Sequence, residues 1–139
     1  MESLLTPTEI IDKMYFNDPF SLWLGIERIE ESLGYSKIKM TVRKEMLNGF
    51  HIAHGGITFS LADSAFAFAS NSHGRHAVSI ECSINHLHPV KEHDTLIAEA
   101  KQLSIKRTHA VYMVEVKNQA EELVALFRGM VYIKDTHWK

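Results

Sequence analysis

The chain has 139 residues, 45% of them hydrophobic and 23% charged, with a net charge of −2 when its nine histidines are neutral. This describes one domain with a full core but no room for two, and it excludes a global field directed at nucleic acid or an anionic membrane. A single cysteine excludes an internal disulfide and suits a reducing compartment, and the start Met-Glu-Ser-Leu-Leu-Thr-Pro lacks a signal peptide's basic and apolar regions, so a soluble, cytoplasmic protein is expected.

Thr6-Pro7-Thr8-Glu9 reads as a helix start: a threonine cap, proline at the first helical position and glutamate placed for a capping box. Ile10, Ile11, Met14 and Tyr15 give that helix an apolar stripe, and Asn17-Asp18-Pro19 reads as its stop. Residues 1–22 are thus a helical extension. Strand signals follow from Gly25 to Ile29, with a turn at Glu31–Gly34. Ser36, Ile38, Met40 and Val42 then alternate with polar neighbours, the period-two pattern of a half-buried strand.

The central helix is expected from Gly55 to about Ser72, ended by His73-Gly74. Val78, Ile80, Cys82 and Ile84 alternate as a further strand, closed by His88-Pro89, with Cys82 on its apolar side as a core filler. Three more runs, Thr95–Ser104, Ala110–Lys117 and Leu123–Ile133, complete the chain. The economical architecture is α+β: one antiparallel sheet curled around one buried helix.

Chemistry concentrates at Asn48-Gly-Phe-His-Ile-Ala-His54-Gly55-Gly56, which leads into an alanine-rich helix carrying Asp63. Burying a lone carboxylate is costly, so Asp63 has either a structural mate or a catalytic task. In a catalytic task its role would be general base to water or nucleophile; the residues do not choose. No Ser, Thr, Asp or Asn immediately precedes Gly55, which leaves the leading N–H groups of the helix as an oxyanion-type site. The plainer reading is that Gly55 and Gly56 only allow close packing. Gly56, Ser60, Asp63, Ala67 and Ser70 or Asn71 share one small, polar stripe suited to a substrate cleft.

His86 and His88 share a strand face, and His51 and His54 flank the loop, but neither a zinc-type ligand motif nor a carboxylate cluster accompanies them. No metal is expected. GxSxG and phosphate-binding glycine loops are missing, which disfavours serine hydrolases and nucleoside triphosphatases.

These residues resemble the hotdog fold, specifically the phenylacetate-pathway acyl-CoA thioesterase family. The resemblance runs from about Leu24 onward and rests on Asn48-x5-His54-Gly55-Gly56-x6-Asp63 and Ala69-Ser70-Asn71-Ser72. Weaker matches are Ile84-Asn85-His-Leu-His-Pro89, Arg107-Thr108, Val111-Tyr112 and Val124-Ala125-Leu126-Phe127-Arg128-Gly129. It implies hydrolysis of an acyl-CoA thioester, often an aryl one such as phenylacetyl-CoA, by a homotetramer of two dimers, with no cofactor beyond the coenzyme A of the substrate.

Carried over by position, Asp63 activates water or attacks, the Gly55 N–H polarises the carbonyl, and His54 and Asn48 line the site. Gly56, Ser83, His88, Arg107 and Thr108 are expected at the substrate, although Arg107 reads equally as a solvated turn residue. His88 and His109 depart from the family's usual arginine and glycine. Rival readings are a hydratase or dehydratase using a His54–Asp63 pair and a non-catalytic acyl-CoA-binding module.

Geometry adds one expectation. Gly55 and Asp63 are eight residues apart on one helix, roughly 12 Å at 1.5 Å per residue. One carbonyl cannot easily meet both, so the site should join Asn48, His54 and Gly55 of one subunit to Asp63 of another.

Overall fold

Thr6 caps the first helix as its sequence dictates. In the computed structural model, which describes residues 5–139, its Oγ1 accepts from the Glu9 N–H while the Glu9 carboxylate accepts from the Thr6 N–H. The helix α1 (Pro7–Tyr15) buries Ile10 and Ile11. Residues 1–4 of the expected extension lie outside the described residues. Asn17-Asp18-Pro19 ends α1 but also starts a second helix that was not expected, α2 (Pro19–Leu24). Asp18 is its cap, accepting from the Ser21 N–H, and Pro19 takes the first helical position, where its missing N–H costs nothing.

Six strands follow, β1 (Glu27–Ser32), β2 (Tyr35–Thr41), β3 (Arg75–His86), β4 (Thr95–Ile105), β5 (His109–Lys117) and β6 (Leu123–His137), with the helix α3 (Gly55–Asn71) between β2 and β3. They form one antiparallel sheet in the order β1-β2-β4-β5-β6-β3. Its inner face buries Ile38, Met40, Leu96, Ala98, Tyr112, Val114 and Phe127, and α3 fills the concavity with Leu61, Ala62, Ala65, Phe66, Phe68 and Ala69. The Phe66 ring of α3 packs directly over Gly129 of β6. A Cβ there would stand 2.7 Å from Phe66 Cζ, so only glycine admits the ring.

The far end of α3 is sewn to the sheet by buried Asn71. Its Nδ2 donates to the Ala67 and Ala77 carbonyls, and its Oδ1 accepts from the Ala77 N–H and from Trp138 Nε1. α3 therefore runs antiparallel to β3, with Asn71 beside the start of that strand.

The alternation expected along β3 fails at its centre. The register shifts between Ser79 and Glu81, and a bulge of this kind turns the following residues over. Val78 is 42% and Ile80 53% exposed, while Cys82 and Ile84 pack on the core. β3 is also an edge strand of 12 residues, with one side unpaired.

Candidate active site

The loop before α3 is rigid for reasons visible in its residues. Asn48 Oδ1 accepts from the N–H groups of Phe50 (2.8 Å) and Ile52 (3.5 Å), closing a turn on its own backbone. His51 holds a left-handed φ of 62°. Leu47 and Ala53 bridge, and the N–H groups of Ala53 and His54 donate to the carbonyls of Val90 and Met46. Asn48 Nδ2 donates to none of the described residues.

His54 is the cap of α3, with extended backbone and Nδ1 accepting from the Gly56 N–H at 3.1 Å. This corrects the expectation that no side chain uses the leading donors: a histidine does, at Gly56. Because Nδ1 accepts, the neutral ring carries its proton on Nε2. The Ile57 N–H returns to the His54 carbonyl at 2.9 Å. The Gly55 N–H donates to none of the described residues, so the positive end of a 17-residue helix offers one unused donor.

That donor borders a cleft of about 350 Å³ whose lining includes Asn48, Ala53, Gly55, His86, His88 and Val124. The end of β3 forms one wall: His86 Nε2 lies 3.1 Å from the point a Cβ on Gly55 would occupy. Gly55 has no positive φ, so space and not backbone freedom is what its glycine provides. His86 and His88, which share a strand face in the sequence, both line the cleft but have different neighbours. His86 faces Gly55, whereas His88 lies beyond the strand with Nε2 3.6 Å from Glu122. Among the described residues there is no cluster of three metal-ligating side chains.

Asp63 lies two turns further along α3, half-buried, with no hydrogen bond to the described residues. Burial first, and the negative charge of Asp18 second, raise its carboxyl above the ordinary range. Asp63 in turn adds to the upward shift that burial gives the Cys82 thiol of β3. Among the described residues no hydrogen bond or ion pair joins His54 to Asp63, and the His54 ring is engaged at the Gly56 N–H instead, so the His54–Asp63 pair of the hydratase reading is not formed within the chain. Gly56, Ser60, Asp63 and Ala67 do share the less covered side of α3, with the Ser60 hydroxyl donating to the Gly56 carbonyl. Ser70 and Asn71 are buried, so the stripe ends at Ala67.

Three expected substrate contacts stand elsewhere in the chain. Ser83 alternates with the inward Cys82 and Ile84 and faces away from α3, opposite Arg128. Arg107 and Thr108 form the β4–β5 turn, held by Arg75, whose Nη1 donates to the Arg107 carbonyl. That turn is at the Asn71 end of the molecule. Gly55 is at the other, about nine strand residues or ~30 Å away. Sequence reasoning missed the influence of Asp18; its signal was the Asp-Pro pair, readable as a helix start as well as a stop.

The model of the thioesterase superfamily matches residues 50–125. The acyl-coenzyme A thioesterase PaaI of Escherichia coli (strain K12) is 46% identical over 116 residues, covering 84% of this chain and 83% of its own. The solved structure of E. coli PaaI superposes with a TM-score of 0.92 at 40% identity over 94% of this chain and 95% of that one. A Streptococcus mutans protein solved bound to acetyl CoA follows at a TM-score of 0.79 and 29% identity, over 81% and 91% of the two chains. With an antiparallel sheet closed on one long helix and the glycine pair at that helix's start, this chain belongs to the thioesterase superfamily and has its hotdog fold.

Proposed function

We propose that this chain hydrolyses acyl-CoA thioesters, aryl ones such as phenylacetyl-CoA among them, at two equivalent sites formed between two copies of itself. The observation that carries the reading is the unused Gly55 N–H at the start of α3, together with an unpaired, half-buried carboxylate two turns on. The N–H sits where negative charge would develop on the thioester oxygen, and a preformed donor costs nothing to reorganise. Asp63, with no hydrogen-bond partner among the described residues, serves as base toward water or as nucleophile. Either route yields free acid and coenzyme A. Asn48 closes the loop that presents Gly55, and His54 caps the helix there.

One chain separates the two halves of this machinery, and its exposed edge supplies the remedy. A long unpaired strand bearing Val78 and Ile80 is a pairing surface. Antiparallel pairing of β3 with a second β3 sets the two α3 helices antiparallel, so Gly55 of one copy approaches Asp63 of the other. The same operation carries the Arg107–Thr108 turn of one copy toward the Gly55 end of its partner, where a nucleotide tail would extend. Val111, Met113, Leu126 and Met130, half-buried on the outer sheet face, suit a second contact between dimers and hence a tetramer.

The test is free-thiol release from a panel of aryl- and alkyl-CoA esters by the purified protein. Release from at least one ester, fastest for aryl esters, is expected. A protein that binds CoA esters and releases no thiol is a binding module; one that hydrates enoyl-CoA without releasing thiol is a hydratase.

A further inference from the structure

We infer that His86 is the second donor of the oxyanion site, its Nε2–H meeting the thioester oxygen alongside the Gly55 N–H; this rests on the thioesterase reading above. The imidazole presents its Nε2 edge to Gly55. Nε2 stands 3.1 Å, Cε1 3.4 Å and Cδ2 3.8 Å from the point a Cβ on Gly55 would occupy. An oxygen hydrogen-bonded to the Gly55 nitrogen at about 2.9 Å falls within reach of that edge. Neither ring nitrogen of His86 bonds to any described residue, and the ring lines the same cleft as Gly55. Its backbone is fixed opposite Ala125 in β6, with the N–H groups of Leu87 and His88 both donating to the Val124 carbonyl.

The helix itself leaves a vacancy for such a group. Of its leading donors, Gly56 gives its N–H to His54 and Ile57 to the His54 carbonyl. Only Gly55 remains, and one N–H satisfies one of the two lone-pair directions of a developing oxyanion. A neutral imidazole with its proton on Nε2 supplies the other.

His86→Phe and His86→Gln separate donation from shape: phenylalanine keeps a flat ring without a donor, and glutamine places an amide N–H near the position of Nε2. The assay is steady-state hydrolysis of an acyl-CoA ester that the wild type turns over, with binding of a CoA thioether lacking the carbonyl as a check on fold and CoA affinity. The expected result is a kcat about 10²-fold lower for His86→Phe, the size of loss seen when one oxyanion donor is removed. KM and thioether affinity should stay within about threefold, and His86→Gln should recover at least about tenfold of the loss. A kcat loss below about tenfold, a KM that rises in step, or a glutamine variant no better than phenylalanine overturns the assignment and leaves the thioesterase reading intact. A wild type that hydrolyses no ester overturns both.

Discussion

Asp18 and Asp63 set like charges against each other where α2 meets α3. Asp18 is fastened there by Ser21, whose N–H (3.0 Å) and hydroxyl (2.6 Å) it accepts, and Ser21 Oγ lies 2.8 Å from Ser64 Oγ, next to Asp63. Burial is the larger cause of the raised Asp63 carboxyl, and Asp18 the second. The short second helix therefore adds to the raised carboxyl of the group proposed to act on the thioester.

A pH profile tests this link. Asp63 must be ionised to act, so activity should fall on acidification through its raised pKa. Asp18→Asn keeps an N-cap acceptor and removes the charge. The acidic limb of kcat/KM should then move to lower pH, with the helix content of the far-UV spectrum unchanged. A limb that stays in place or moves upward would show that Asp63 does not govern it.

Asp63→Asn should lower kcat about 10²–10⁴-fold, the usual contribution of a positioned acid–base group, and should stabilise the fold. A carboxyl whose folded pKa lies above its unfolded value favours the protonated form on folding, so its ionised form weakens the wild type above that window. The variant's gain in Tm should be present at neutral pH. It should shrink as pH falls from the raised folded value toward the ordinary aspartate range. A variant that melts below the wild type at pH 7 would mean that Asp63 has a stabilising partner.

How far this was legible in the sequence follows from which interactions are local. α3 was readable from Gly55 to its end because an apolar helix with a glycine start is specified by its own 17 residues and the His73-Gly74 stop just beyond them. The strands were readable wherever inward residues keep period two, as Ser36, Ile38 and Met40 do. Ile80 was not, because a bulge depends on pairing with β6 and leaves no mark in the alternation of β3 alone. The same limit hid His86 from Gly55: 31 residues separate them in the chain, and only the antiparallel run of α3 against β3 joins them. His54 was assigned to the site but not as a cap, since histidine is not among the usual capping residues.

Gly129→Ala should be strongly destabilising although alanine is small. The new Cβ would meet Phe66 Cζ, Cε1 and Cε2 at 2.7, 2.8 and 2.9 Å. The ring cannot retreat, being packed against Tyr112 and Phe127 at centroid separations of 5.9 and 5.5 Å. Overpacking of this kind costs about 1–3 kcal/mol, readable as a lower urea midpoint at constant slope. Combining it with Phe66→Leu should cost less than the sum of the two single changes. Strict additivity would place the strain elsewhere.

Arg107→Ala should raise KM for acyl-CoA more than it lowers kcat. The Arg107 carbonyl, not its guanidinium, is what Arg75 holds, so the exposed side chain is available to a phosphate and dispensable to the turn. A guanidinium–phosphate contact acts in ground and transition states alike, and salt should erode the difference between variant and wild type. An unchanged KM at low salt would return Arg107 to a solvated turn residue.

The proposal of a site shared between two copies makes the sharpest demand. Asn48 and Gly55 line one cleft, while Asp63 lies roughly 12 Å further along the same helix. The Asp63 side chain leans toward the helix start but recovers only a few ångströms. Asn48→Ala removes the acceptor that closes the loop before Gly55, and Asp63→Asn removes the carboxylate proposed to react; each variant alone should be inactive at both of its sites. In a dimer of one chain of each kind, separately tagged and purified, the lesions segregate. One site carries both and the other neither, so activity should return to about half that of the wild-type dimer, one site of two. If the residues instead served within a single chain, every site of the mixed dimer would carry one lesion and none would work. Mixed dimers as inactive as their parents would therefore place Gly55 and Asp63 in the same chain's site and remove the reason for pairing the β3 edges.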